Sequence, residues 1–215
     1  MAAPIEKLSA MRIGCDNLVW ARLKKDDGVT LQYDTPVSLP GLMTIGINPN
    51  TESATAFYDD GPAESASTLG EIEVTIEKSA LGTKEIATLL GHSLDANGMV
   101  IYGANDVAPY GALGFRTIKS DGTYKYCWLL KGMFVDSEEE NETKGDSINF
   151  QSDELTGAFA KVNKKFNVTD TVTSEPKEVQ PWRVMVDTGA DGVSEELIAA
   201  WFTEVITPAW TAAEE

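Results

Sequence analysis

The chain has 215 residues, with 17 Lys and Arg against 34 Asp and Glu, a formal net charge of −17, 42% hydrophobic residues and 24% charged. A chain of this length and composition buries roughly 70% of its unfolded surface, which excludes a disordered acidic tail and predicts one domain with extensions. So acidic a surface repels phosphates and anionic lipid, which excludes gripping duplex DNA or a membrane through a basic patch. Met1 to Gly14 lacks the apolar stretch of a secretory signal, and the apolar run Cys127 to Val135 is broken by Lys131 and far shorter than the ~18 residues that span a bilayer. A soluble protein is expected. Cys15 and Cys127 have no CxxC spacing, as in a reduced, cytoplasmic setting.

Most segments alternate apolar and polar residues with period two, so β structure is expected to dominate. Val19, Ala21 and Leu23 fall opposite Arg22 and Lys24, and Met43, Ile45 and Ile47 opposite Thr44 and Asn48. Residues 48–70, rich in Ser, Thr, Ala, Asp and Gly, form a long loop or an extended arm, with Asp60-Gly61-Pro62 as a turn signal. The cleanest strand is Glu71 to Glu77. Ile72, Val74 and Ile76 share one face, and Glu71, Glu73, Thr75 and Glu77 share the other. A short helix comes next, with Thr83 as cap, Ile86, Leu89 and Leu90 as its apolar stripe and Gly91 as its stop.

Asp121-Gly122 between apolar runs predicts a hairpin with a two-residue type I′ turn. Ser120 then pairs with Thr123, and the pairs Thr117 with Tyr126, Phe115 with Trp128 and Leu113 with Leu130 share one core face. The acidic run 136–142, containing Glu138, Glu139 and Glu140, must be solvated. Strand character resumes over 148–162, with Leu155 and Phe159 on one face, and residues 163–181 suggest a loop or an edge strand. A short strand over 183–186, a turn over 187–192 and a helix over 194–206 complete the chain. Ser194 caps that helix, and Leu197, Ile198, Trp201, Phe202 and Val205 form its apolar stripe. The division is a core over 1–162 and an extension over 163–215, packed on its own or a neighbouring subunit.

Asp187-Thr-Gly-Ala-Asp191 resembles the active-site loop of retroviral-type aspartic proteases. That chemistry needs two aspartates sharing a proton, a flap and a supporting apolar strand. The residues after Asp187 read as a helix and a tail, so a turn before a capped helix explains the pattern better. The same stretch lacks the acid of a calcium loop, since Ile198 stands there. His92, the one histidine, makes no triad and no transition-metal set, and reads as structural. No phosphate-cradling motif is present. No catalytic residue, metal or cofactor is therefore expected.

In order along the chain, Tyr58-Asp-Asp-Gly-Pro62, Leu69-Gly-Glu-Ile-Glu-Val-Thr-Ile76, Leu89-Leu-Gly-His92, Asp106-Val-Ala-Pro-Tyr110, Leu113-Gly-Phe-Arg116, Tyr124-Lys-Tyr-Cys-Trp-Leu-Leu-Lys131, Glu142-Thr-Lys-Gly-Asp-Ser-Ile-Asn-Phe150 and Ala200-Trp-Phe202 resemble the major tail proteins of long-tailed bacteriophages of Gram-positive bacteria. The resemblance implies a mainly β, α+β fold: an antiparallel β-sandwich of the tail tube type with one flanking helix, here followed by the C-terminal helix. It implies a virion protein without enzymatic activity, assembled in the host cytoplasm into hexameric rings that stack into a tube. Tape measure, tail terminator and distal tail proteins are its implied partners, and DNA passes through without specific binding. Glu71, Glu73 and Glu77 are expected to line the channel. Phe57, Tyr58, Asp59 and Asp60 on the arm, Glu138, Glu139 and Glu140 in the acidic run, and Trp201 and Phe202 in the last helix are expected at contacts between rings or subunits. Six copies place about −100 on each ring, which would repel the DNA backbone and let it slide. The alternative is a soluble acidic sugar-binding β-sandwich that uses exposed Trp and Tyr as stacking platforms.

Overall fold

The computed structural model describes residues 10–58, 61–137, 142–143, 150–171, 173–208 and 210–211, with only the backbone of 52–58 and 61–67. The fold is mainly β, with 49% strand and 8% helix. Its strands are β1 (Arg12–Asp26), β2 (Leu31–Tyr33), β3 (Val37–Ser38), β4 (Leu42–Tyr58), β5 (Gly61–Lys78), β6 (Ser93–Leu94), β7 (Val100–Ile101), β8 (Gly111–Lys119), β9 (Tyr124–Val135), β10 (Asp153–Phe159), β11 (Phe166–Thr169), β12 (Pro176–Val179) and β13 (Arg183–Asp187). The helices are α1 (Thr83–Leu90) and α2 (Glu195–Ala200).

One antiparallel sheet runs β2-β1-β8-β9-β10-β5-β4, with β3 added to β1 and β13 to β9. The sheet curls until its distant strands approach, and the Cys15 thiol of β1 donates to the Met43 carbonyl of β4 at 3.7 Å. The result is a sandwich-like α+β fold with two cores. The first lies inside the curl, where Trp20, Ile72, Val74, Ile76, Leu113, Phe115, Leu129, Phe134, Leu155 and Phe159 meet Leu89 and Leu90 of α1. The second lies on the outer side of β1, β8 and β9. There Val19, Ala21, Ala112, Tyr126, Trp128 and Leu130 are covered by Val162, Phe166, Trp201 and Ile206. Residues 163–211 are thus integral to the fold: β11 and β12 form a small hairpin, and β13 pairs with β9 from Arg183↔Leu129 to Asp187↔Lys125.

Burial on both sides is why β1, β8 and β9 carry near-continuous apolar runs. A sequence reading with one buried face per strand is corrected here, since Leu18 and Trp20 face the first core while Val19 and Ala21 face the second. Met43, expected beside Ile45 and Ile47, is exposed, because the β4–β5 register shifts between Leu42 and Thr44.

The hairpin at Asp121-Gly122 exists, but its register is one residue away from the expected one. Only Gly122 has positive φ, at 80°, and its N–H donates to Lys119 O at 3.0 Å. Asp121 instead accepts from the Thr123 N–H at 3.0 Å and hydroxyl at 2.7 Å. A three-residue loop with Gly122 as the left-handed residue replaces the type I′ turn. Pairs are therefore Thr117↔Lys125, Phe115↔Cys127 and Leu113↔Leu129. The slip sends Tyr126, Trp128 and Leu130 to the second core, away from Phe115 and Leu113.

Two helix ends also differ from expectation. Gly82, not Thr83, is the N-cap of α1, and the Glu85 carboxylate takes the Gly82 N–H at 3.0 Å and the Lys78 ammonium at 2.6 Å. Gly91 closes α1 with φ 78°. Ser194 caps α2 by accepting the Leu197 N–H at 3.2 Å, but the helix ends at Ala200 rather than 206. Trp128 explains the early end: its indole N–H donates to Trp201 O at 2.9 Å, and tight turns come after it, with Thr203 N donating to Ala200 O.

Candidate functional site: an open acidic sheet face and a projecting ribbon

The second core covers only the first half of β9. Between Leu113↔Leu129 and Gly111↔Gly132, β9 carries an extra residue against β8, a bulge that exchanges its faces. Past it, Phe134 turns into the first core and Val135 is exposed on the outer side. From there β10, β5 and β4 continue as a sheet whose inner face is packed.

On the outer face Glu71 and Glu73 are exposed and Glu77 is half-buried, sharing one side of β5. The β10 register sets Glu154 directly opposite Glu77, adding a fourth carboxylate that the sequence reading missed because cross-strand register was not legible. Glu77 accepts from the Thr44 hydroxyl at 3.1 Å and the Ser152 hydroxyl at 2.6 Å. Among the described residues none of these four carboxylates has an ion-pair partner. Lys78 is one position away, but alternation turns it inward to Glu85. Same-side residues on a strand are about 6.8 Å apart, where like charges repel by about 0.6 kcal/mol in water. The arrangement is tolerable because the face is wet, and it contributes nothing favourable to folding.

The arm over 48–70 is a hairpin ribbon. β5 pairs with β10 only from Ile72 to Lys78, whereas it pairs with β4 from Lys78↔Leu42 out to Gly61↔Tyr58. Eleven residues of β5 therefore run beyond the sheet with β4 as their partner, about 37 Å of ribbon. Phe57 and Tyr58 end β4, but their side chains, Asp59 and Asp60, and Glu138, Glu139 and Glu140 lie outside the described residues.

Trp201 and Phe202, expected at contacts between rings or subunits, pack on their own chain. Trp201 is 2% exposed and stacks edge-on against Tyr126 at 5.8 Å, and Phe202 packs on the same ring at 5.5 Å. Both are committed to their own chain's second core, because α2 is too short to carry them away from it.

Other groups that resemble chemistry are held in structural contacts. Both oxygens of Asp187 accept from Lys119 Nζ, at 2.8 and 2.9 Å, and the Gly189 N–H donates to it at 2.9 Å. The ammonium, foremost, holds this carboxyl below its ordinary range. The His92 ring lies between Asp106 (Nδ1, 2.8 Å) and Asp136 (Nε2, 3.2 Å) and stacks on Tyr102 at 4.1 Å. Its pKa is raised, chiefly by Asp106, and that of Asp106 is lowered in turn. With a carboxylate on each nitrogen, the His92 ring joins the loop after α1 to the end of β9. Burial pushes the Cys127 thiol up to about 12.

Among the described residues, no helix is long and apolar enough to cross a membrane, and no three His, Cys, Asp or Glu side chains gather as a metal site. In comparisons with known proteins, no family model and no curated sequence matches the chain.

Proposed function

We propose that this chain is a structural tail tube subunit, a major tail protein whose copies close into rings and stack into a channel for DNA. The observation that carries the reading is the open face of Glu71, Glu73, Glu77 and Glu154. It is a sheet surface packed on one side and wet on the other, whose four carboxylates have no ion-pair partner among the described residues, with Lys161 at its Glu71 end. Such a predominantly negative surface repels a phosphate backbone. The projecting ribbon supports the same reading, because an isolated two-stranded hairpin is marginal in water and gains by packing on a neighbour. The resemblance of the ordered sequence blocks to the tail protein family is the third support.

The sugar-binding alternative is disfavoured by where the indoles lie. Trp20, Trp128 and Trp201 are buried, Trp182 is half-buried with the Arg183 guanidinium 4.6 Å from its ring, and Trp210 donates to Glu204. None of the five is an open stacking platform. Electron microscopy of the concentrated protein tests the proposal: rings or tubes are expected, and a persistent monomer under all assembly conditions refutes it. Replacing Glu71, Glu73 and Glu77 by Lys should leave tubes intact and impair genome ejection from phage carrying the variant. Undiminished infectivity would remove these residues from the channel wall.

A further inference from the structure

We propose that a groove on the sheet face, running from the start of β1 over the ends of β8 and β9 to β13, is the receptor for the acidic β4–β5 ribbon of a second copy. The groove is lined by Met11, Arg12, Lys119, Lys125, Arg183 and Met185, with Asp187 at its base. Lys119 is spent on Asp187. Arg12, Lys125 and Arg183 have no ion-pair partner among the described residues, although the chain has twice as many acids as bases. Three cations without an ion pair thus line one groove beside Lys119, whose charge Asp187 offsets.

Two further features define what the groove accepts. β13 pairs with β9 on one edge and with no strand among the described residues on the other, so its free edge can take an extended strand through main-chain hydrogen bonds. Met11 and Met185, which line the groove, are 79 and 48% exposed, apolar surface that a monomer leaves in water. The occupant must therefore be extended, acidic and partly apolar. The ribbon meets each demand: it is extended, stands beyond the sheet, and between Asn50 and Gly70 carries Glu52, Asp59, Asp60 and Glu64, with Phe57 and Tyr58, and no Lys or Arg. Groove and ribbon are different surfaces of one chain, so their contact is heterologous, the kind that propagates into a ring or a stack. This assignment rests on the tube reading and names the surfaces that join its subunits.

The test compares the full-length protein with Arg12→Glu/Arg183→Glu, with the milder Arg12→Gln/Arg183→Gln, with Glu52→Lys/Glu64→Lys, and with the four-residue charge exchange. Assembly is followed by electron microscopy and sedimentation, and folding by circular dichroism. Both substituted arginines are exposed, so the monomer should stay folded. Each pair of reversals should raise the concentration needed for assembly about tenfold or more, the neutral pair less, and the exchange should restore it. Unchanged assembly in the arginine variants would remove the groove from the interface, and loss without rescue in the exchange would remove the ribbon as its occupant. Failure of the unsubstituted protein to assemble would instead count against the tube reading itself.

Discussion

The buried Lys78 offers the sharpest test of how the acidic sheet is held. Its side chain is 1% exposed and its ammonium lies 2.6 Å from one oxygen of Glu85, which is 18% exposed and also takes the Gly82 N–H. The two ends of this pair should respond unequally to truncation. Glu85→Ala leaves a charged amine in the first core beside α1, a loss of about 3–5 kcal/mol. Lys78→Met fills the same space with an apolar chain, and the remaining carboxylate still reaches Gly82 and water, so the cost is about 1 kcal/mol or less. Since a domain has only about 5–15 kcal/mol in hand, Glu85→Ala should be close to unfolding. Urea denaturation, at a concentration where sedimentation shows monomer, reads both as shifts in midpoint at constant slope. Equal losses in the two variants would refute the argument, since it rests on which partner is left without water.

The His92 clamp makes stability depend on pH. Because the folded pKa of His92 is raised above its ordinary 6.5, its contribution is complete below that value and is lost as pH rises through the folded pKa; that of Asp106, lowered from 3.8, is complete above 3.8 and lost as pH falls through its folded pKa. The stability difference between the native chain and His92→Gln should thus be largest between about pH 4 and 6.5 and shrink toward pH 9, and a difference flat across that range would refute the clamp. At Gly132, opposite Phe159 across β9 and β10, an added Cβ would overlap the aromatic ring, so Gly132→Ala should cost about 1–3 kcal/mol in thermal unfolding, and an unaltered melt would contradict that packing.

Alternation at 71–77 and the stripe on α1 were legible because one physical demand, burial on a single face, fixed every residue there. Where two demands met, the sequence was ambiguous. Trp128 packs against a covering layer supplied by residues 162–206, so nothing in its own strand distinguishes one core face from the other. The loop at Asp121 turned on whether a side chain hydrogen-bonds its neighbour's N–H or the backbone adopts positive φ, a choice of about 1 kcal/mol that shifts all the pairs after it. The 194–206 helix was overestimated because its apolar stripe continues to Val205, while the indole of Trp128 takes the Trp201 carbonyl at the point where the helix ends. The ribbon was legible as an arm but not as paired strands, since Ser, Thr and Ala alternate without an apolar face. Glu154 was invisible as a member of the acidic face until β10 was set beside β5.

The distribution of positive charge joins these observations. Lys78, Lys119, Lys131 and Arg116 are each paired with a carboxylate in sites screened from water, where they tie distant segments together. Lys131 is the clearest case: it meets Asp26, 3% exposed, whose oxygens also accept the N–H groups of Asn163 and Lys164, joining β1, β9 and the turn that leads to β11. Cations used in this way do not offset the outer surface, so the open sheet face is more uniformly negative than a net charge of −17 spread evenly would make it. Sequence composition alone therefore understates the potential a phosphate backbone would meet at that face. Arg12, Lys125 and Arg183 are set apart by sharing one groove rather than by lacking an ion pair, and that clustering is what an acidic ribbon can meet.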